Sequence, residues 1–404
     1  MGAVGPTIVD YLFANAPREI QRGQRPRLYA PQQIAHNEGR MPATRITSPD
    51  DPALHALGAR LADLAVELDR APRWPAEQLR LLGEQGVFEW FLDPAWGGQG
   101  WSDEQVARGY LALSSACLTT TFILTQRTGA CRRIAGSDNV ELKQRLLPGL
   151  TSGERFATVG ISHLTTSRRH LAKPVLTAES IPGGFRLQGM SPWVTGAIAA
   201  DVVVLAATLI ENAAATDRQL LMAVPTDCKG VTIAEPLPLL GVSASSTGPV
   251  HLAGADVPND WLIAGPMPNI MASGTGASTG GYETSTLAVG LAKAAIDYLE
   301  EQSVRRADLL EPAAALRSEH QRVLDDLLAV SRGESACTKE ALRRRANSLV
   351  LRSSQAALAA AKGSGYVVGH PAGRWCREAL FFLVWSCPQP VTAANLCELA
   401  GIED

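Results

Sequence analysis

Two residues, Trp193 and Thr195, carry side chains suited to hold a flat aromatic cofactor. They lie in residues 184–197 (GFRLQGMSPWVTGA), within the only long region whose pattern is typical of β-strands. Residues two apart on a strand face the same side of a sheet. The indole can therefore lie along a planar ring while the threonine hydroxyl and amide address the polar edge of that ring. A core tryptophan beside a turn is the alternative interpretation.

The composition argues against several classes of function. The 404 residues include 37 Lys and Arg against 40 Asp and Glu, with no run of five or more like charges, so we expect no nucleic-acid partner. The seven cysteines lack CxxC or CxxH spacing, which predicts no metal site and no disulfide framework, and fits a reducing cytoplasm. No uncharged apolar run reaches about 18 residues, and the opening residues are not typical of a secretory signal. We therefore expect a cytoplasmic protein without a membrane span.

The periodicity predicts helices on both sides of a β-region. Residues 1–50 are rich in proline and predict an N-terminal arm, whereas leucines at helical spacing from Leu54 onward predict a helical domain over residues 51–153. Short strand-like runs between turn residues predict an antiparallel β-domain over residues 154–272. Helical spacing resumes over residues 273–404, where we expect a four-helix bundle. The fold class is accordingly α+β.

This order resembles the acyl-CoA dehydrogenase superfamily from about residue 52 to the end of the chain. Three local segments are similar to the family: residues 94–100 (PAWGGQG) to its loop of proline and paired glycines, residues 287–295 (LAVGLAKAA) to its first bundle helix, and residues 362–366 (KGSGY) to its glycine-rich turn. The resemblance implies FAD as cofactor, an acyl thioester as substrate, an electron-transfer flavoprotein or a flavin reductase as partner, and a homo-oligomer, either dimer or tetramer.

The resemblance also implies which residues contact FAD. Trp193 takes the position that packs on the isoalloxazine ring, and Thr195 the position at its N5 side. The strand over residues 156–162 (FATVGIS) matches the segment that binds the pyrimidine edge and the phosphates, so Phe156, Thr158 and Ser162 are candidate cofactor residues. The usual Thr-Glu-Pro and Gly-Ser pairs are missing from this segment. Further candidates to contact phosphate oxygens are Thr165, Thr166, Arg168 and Arg169.

A further contact is implied from the bundle. Arg306 occupies the position of an arginine that reaches the cofactor of a neighbouring subunit. Leu309 and Leu310 replace the Phe-Gly pair that usually follows, and Ala359 stands where the family has a glutamine. Two of the usual features of the adenine side are therefore lost.

Dehydrogenation of a thioester requires a base that takes the α-proton. Most of the family places a glutamate at a position that is Ser386 here, counting from residues 377–379 (REA). A minority carries the base on the first bundle helix, and that alignment places Glu283 at the base and Thr284 at an arginine that normally helps to hold the thioester. The alternative is that Glu283 only stabilises the positive end of the helix dipole.

Three functions follow from this interpretation. The first is Cα–Cβ dehydrogenation of an acyl thioester with Glu283 as catalytic base. The second is a flavin-dependent monooxygenase of the same fold that uses reduced flavin and O2, with His163 as a candidate for the oxygen chemistry. The third is a non-catalytic family paralogue that acts in binding or assembly.

Overall fold

The computed structural model describes residues 20, 25–26, 44–165, 174–272 and 281–402. They fall into two compact units. The sheet unit comprises the described residues within Met1–His36, Thr125–Pro238 and Ser246–Ser278, and the helical unit those within Asn37–Leu124, Leu239–Ser245 and Thr279–Asp404. The helix that begins at Leu118 and ends at Ala135 has residues in both units.

The helices of the first part of the chain begin where local capping favours them. Asp51 accepts a hydrogen bond from the Ala53 amide, and the proline that follows Asp51 occupies the first helical turn. Ser102 and Gln105 form a capping box, in which each side chain bonds the backbone amide of the other residue. The helices are α1 (Pro52–Arg70), α2 (Ala76–Glu84), α3 (Asp103–Ala116), α4 (Leu118–Ala135) and α5 (Val140–Ser152).

The sheet unit contains one eight-stranded sheet, preceded by α5 and interrupted by the short helix α6 (Ser162–Thr165). The strands are β1 (Ala157–Gly160), β2 (Leu176–Ile181), β3 (Gly184–Thr195), β4 (Val202–Glu211), β5 (Ala214–Pro225), β6 (Val231–Ile233), β7 (Thr247–Pro258) and β8 (Leu262–Pro268). Their order is β6-β7-β3-β2-β4-β5-β8, and β1 pairs with β4 off this path.

The sheet is mixed, which corrects the prediction of a purely antiparallel domain. The pairs β1–β4 and β2–β4 are parallel, and the remaining pairs are antiparallel. Alternation along a strand shows which face is buried but not the direction of the neighbouring strand, so the sequence pattern did not reveal this difference. Strand β8 has no regular alternation of apolar and polar residues, because Gly265 and two prolines interrupt its pattern.

Among the described residues, five helices follow the sheet and belong to the helical unit. They are α7 (Glu283–Ser303), α8 (Leu310–Ser331), α9 (Lys339–Gly365), α10 (Pro371–Leu380) and α11 (Gln389–Leu399). Helix α7 packs closely on α3 because Gly290 has no side chain. A Cβ atom at Gly290 would lie 2.8 Å from the Leu111 carbonyl oxygen. The α+β class and the order of helices, sheet and helices are confirmed, whereas the domain boundaries stay predictions.

Among the helices in the described part of the chain, none combines the length and the apolar character needed to cross a bilayer.

Candidate functional site

Hydroxyl groups on strands β1 and β7 hold the end of β3 in place. Thr158 of β1 donates its hydroxyl to the Thr195 carbonyl oxygen at 2.7 Å, and both residues are buried. The Thr195 hydroxyl lies 2.9 Å from the Thr247 hydroxyl of β7. When Thr247 is the donor, the Thr195 hydroxyl hydrogen can be donated to an acceptor atom of a bound ring. The segment that contains Trp193 is therefore fixed in position before any ligand binds.

Trp193 is partly exposed, although the residues around it on β3 are not. Ser191 and Val194 are fully buried, and Thr195 is 3% exposed. A large aromatic side chain is costly to leave in contact with water unless something covers it. This exposure favours a ring-stacking role for Trp193 over the alternative of a core tryptophan.

Ser191 adds a polar group that the sequence interpretation missed. Its Oγ atom is buried and has no hydrogen-bond partner among the residues that the structure describes. It faces Gly160 at the end of β1, where a Cβ atom would lie 2.8 Å from Ser191 Oγ and 2.6 Å from Leu205 Cδ2. A buried hydroxyl without a partner is costly, so Ser191 is a candidate to contact a polar ligand atom. No signal in the sequence distinguishes Ser191 from other serines.

His163 of α6 is held in its neutral form. Its Nε2 atom lies 2.8 Å from the Ala206 carbonyl oxygen, which fixes the tautomer with the proton on Nε2. Burial lowers the pKa of His163 to about 4, and the hydrogen bond to Ala206 opposes this shift only in part. Nδ1 is thus a lone-pair acceptor at neutral pH, and no described residue donates to it.

Two of the other predicted cofactor residues, Phe156 and Thr158, make hydrogen bonds that hold the fold together. Phe156 is fully buried, its amide donates to Asp201 Oδ2 at 2.8 Å and its carbonyl accepts from the Asp201 amide at 2.8 Å. Thr158 uses its hydroxyl hydrogen on Thr195, so it positions the segment. Ser162 is partly exposed at the start of α6. Direct contact of these three residues with a cofactor stays a prediction.

Several predicted phosphate contacts lie outside the described residues. These are Thr166, Arg168 and Arg169, together with the side chain of Thr165.

Glu283 is the first residue of α7 in the helical unit, and it is partly exposed. Its carboxylate folds back over Gly281, since a Cβ atom at Gly281 would collide with it. The position that matches the usual base is Ser386, which is exposed and has a φ angle of 47°. No carboxylate therefore stands at the usual position of the base, and Glu283 remains the candidate.

Arg306 makes its hydrogen bonds within its own chain. Nη1 donates to the Ala360 carbonyl oxygen at 2.8 Å, and Nη2 donates to Asp308 Oδ2 at 2.8 Å. The guanidinium is 29% exposed, so part of its surface is open to a further partner. Contact of Arg306 with a cofactor of a neighbouring subunit stays a prediction.

Comparison with known proteins adds independent observations. Residues 54–154 match the family model of the acyl-CoA dehydrogenase N-terminal domain. The mitochondrial short-chain specific acyl-CoA dehydrogenase of Bos taurus is 26% identical over 341 residues, which cover 79% of this chain and 81% of the bovine protein. These matches confirm the resemblance to the acyl-CoA dehydrogenase superfamily.

Solved structures show the fold of that superfamily. A glutaryl-CoA dehydrogenase from Mycobacterium smegmatis in complex with FADH2 aligns with a TM-score of 0.74 at 16% identity, covering 87% of this chain and 95% of that one. The dibenzothiophene monooxygenase TdsC from Paenibacillus sp. A11-2 aligns with a TM-score of 0.70 at 16% identity, covering 85% and 94%. Acyl-CoA dehydrogenases and a monooxygenase thus share the fold of this chain.

Proposed function

We propose that the protein is an FAD-dependent oxidoreductase that dehydrogenates an acyl thioester at Cα–Cβ, with Glu283 as the catalytic base. The observation that carries the proposal is the partly exposed indole of Trp193 on a strand end fixed by Thr158. FAD, when bound, supplies the acceptor for the hydride from Cβ.

The residues of the sheet unit fit such a cofactor. Trp193 offers a planar apolar face, and Thr195 offers a hydroxyl donor at the same strand end. Ser191 Oγ and His163 Nδ1, which have no partner among the described residues, supply further polar atoms. Ser162 at the start of α6 provides a hydroxyl for a phosphate oxygen. This combination of one stacking face and a few convergent polar groups is typical of cofactor sites.

Glu283 would accept the α-proton of the thioester. Its place at the start of α7 puts the carboxylate at the positive end of the helix dipole. Stabilisation of that dipole is the alternative explanation for its presence, so the test must separate proton transfer from helix stability. Arg306 would contact the cofactor of a second copy in a homo-oligomer, either dimer or tetramer. Electrons would leave through an electron-transfer flavoprotein.

A flavin-dependent monooxygenase is the second candidate. It is favoured by Ser386, which replaces the usual glutamate, and by the likeness in fold to a dibenzothiophene monooxygenase. Such an enzyme would receive reduced flavin from a flavin reductase and use O2 on a small substrate. Neutral His163 would then accept a hydrogen bond at Nδ1 near the reacting oxygen. A non-catalytic paralogue is the third candidate.

Anaerobic titration of the purified protein separates these functions. Bleaching of the visible flavin absorbance by an acyl-CoA supports the dehydrogenase. Reduction only by NADH with a flavin reductase supports the monooxygenase, and failure to retain either FAD or FMN supports the paralogue. We expect Glu283→Gln to slow bleaching by at least about 100-fold, the contribution typical of a general base.

Glu340→Gln is the matched control. Glu340 also lies in the first turn of a helix, α9, and is exposed. It tests whether loss of a first-turn carboxylate alone changes the rate. If the Glu283→Gln variant bleaches at the wild-type rate, Glu283 is not the catalytic base.

A further inference from the structure

The helical unit contains a cavity of about 180 Å³ that the proposed oxidation does not use. Its walls come from the end of α1, the start of α4, the loop over residues 239–245 and helix α10. We refer to it as the α10 cavity. The side chains that give it chemical character are Asp69, Thr119, Arg374, Arg377 and Glu378.

Arg374 is a buried cation whose hydrogen-bonding capacity is largely unused. It is 7% exposed, and its Nε and Nη1 atoms have no hydrogen-bond partner among the described residues. Its Nε lies 3.7 Å from Glu378 Oε2, which is an ion-pair distance but too long for a hydrogen bond. A buried guanidinium with free N–H groups is costly, and a bound anion would remove that cost.

Glu378 is a buried carboxyl group that changes protonation near neutral pH. It is 3% exposed, and Thr119 donates its hydroxyl to Glu378 Oε1 at 3.4 Å. Burial raises the pKa of Glu378 to about 7, although the nearby Arg374 opposes the shift and Asp69 adds to it. At neutral pH, a large fraction of the molecules therefore holds Arg374 beside an uncharged partner.

The other groups that face the α10 cavity do not neutralise Arg374. Asp69 accepts two hydrogen bonds from Arg377 Nη2, at 2.7 and 2.8 Å, so these two charges balance each other. The Cys117 thiol is buried, and burial raises its pKa, which keeps it uncharged. Protonation of Glu378 thus leaves a net positive charge in the cavity.

The loop over residues 239–245 forms a fixed wall of the cavity. Gly241 packs on the backbone of α10, where a Cβ atom would lie 2.8 Å from the Arg377 carbonyl oxygen. The next residue, Val242, has a φ angle of 52°, a left-handed conformation that a β-branched residue rarely adopts. Such strain persists where the surroundings impose it, and it clusters at ligand sites.

We propose that the α10 cavity binds a short-chain aliphatic carboxylate, with Arg374 pairing with the ligand carboxylate and protonated Glu378 donating a second hydrogen bond to it. The apolar side chains of Ala65, Leu68 and Val242 contact the alkyl tail. The cavity is similar in size to an engineered cavity of about 150 Å³ that binds benzene, so it admits a ligand of a few carbon atoms. None of the proposed flavin residues lines this cavity, so the proposal does not depend on them.

Binding is coupled to uptake of one proton. Two carboxylates compete for the single guanidinium of Arg374, so Glu378 must be neutral when the ligand carboxylate is bound. The affinity is therefore highest at pH 6 and falls about tenfold per pH unit above pH 7. Substitution of Glu378 by glutamine, which is permanently neutral, removes this dependence.

Isothermal titration of the full-length protein with butyrate, in buffers free of carboxylates, tests the proposal. We expect butyrate to bind at pH 6 and the uncharged isostere butyramide not to bind. Arg374→Gln should weaken butyrate binding by at least tenfold. Arg343→Gln is the matched control. Arg343 is also a buried arginine of this unit, and its Nε and Nη1 atoms have no hydrogen-bond partner among the described residues. It does not line the cavity. It should bind butyrate as the wild type does.

A second variant covers the case in which Arg374→Gln does not fold. Ala65→Leu fills the cavity without changing a charge and should also weaken butyrate binding at least tenfold. Equal binding of butyrate and butyramide, or butyrate binding that survives both variants, overturns the proposal. So does an affinity that is constant between pH 6 and 8.5 in the wild type.

Discussion

The pH dependence of stability offers a test of Glu378 that needs no ligand. Burial raises the pKa of Glu378 from its ordinary value of 4.5 to about 7 in the folded protein. Between these two values the folded state holds a proton that the unfolded chain has lost, so stability falls as the pH rises. At about 1.4 kcal/mol per pH unit, the total loss between pH 4.5 and pH 7 is about 3 kcal/mol. Glu378→Gln keeps the side chain neutral and removes this loss.

Urea unfolding of wild type and Glu378→Gln, measured from pH 4.5 to pH 8, checks the expectation. The two proteins should have similar free energies of unfolding at pH 4.5. At pH 8 the variant should be more stable by about 3 kcal/mol, since only the wild type then buries a charge. Glu340→Gln, which changes an exposed carboxylate, should leave the pH profile of the wild type intact. Parallel profiles of wild type and Glu378→Gln would refute the reasoning, because they would show that Glu378 titrates as it does in the unfolded chain.

Three further predictions concern the strand end and helix α9. Thr158→Val removes the side-chain donor to the buried Thr195 carbonyl. The variant should lower the free energy of unfolding in urea by about 1–3 kcal/mol and raise the Kd for flavin. Thr177→Val, which removes an exposed hydroxyl, is the control. Trp193→Ala should raise the Kd for FAD in equilibrium dialysis by at least tenfold, whereas Trp193→Phe should retain most of the affinity, since ring stacking is worth about 1–3 kcal/mol. Lys362 has φ 54° and ψ −147°, so Lys362→Gly should raise the free energy of unfolding by about 1 kcal/mol while Lys362→Ala should not.

The helices were predictable because their signals are local. The leucines at helical spacing from Leu54 onward lie on α1, and Ser102 caps α3 through bonds within its own first turn. The parallel pairs that β4 makes with β1 and β2 were not predictable, since they join segments that are distant in sequence. The pattern of β4 itself contained a hint. Its buried residues are continuous rather than alternating, which is typical of a strand covered on both faces.

The site was predictable only in part. Trp193 and Thr195 were predicted from their spacing on one strand, and their contact with a cofactor stays a prediction. The role of Thr158 in positioning Thr195 was not, because that hydrogen bond joins residues 37 positions apart. Ser191 was missed for a different reason. A serine is common in any sequence, and only its burial without a described partner makes it informative.

Arg374 and Glu378 show how burial changes the meaning of a sequence pattern. A glutamate four residues after an arginine on a helix reads as an ordinary surface ion pair, worth a few tenths of a kcal/mol. In α10 both side chains are less than 10% exposed, and their closest atoms lie 3.7 Å apart. The pKa of Glu378 rises instead of falling. The loss of hydration on burial therefore outweighs the attraction between the two charges. The same two residues that would stabilise an exposed helix thus leave a buried cation free to bind an anion.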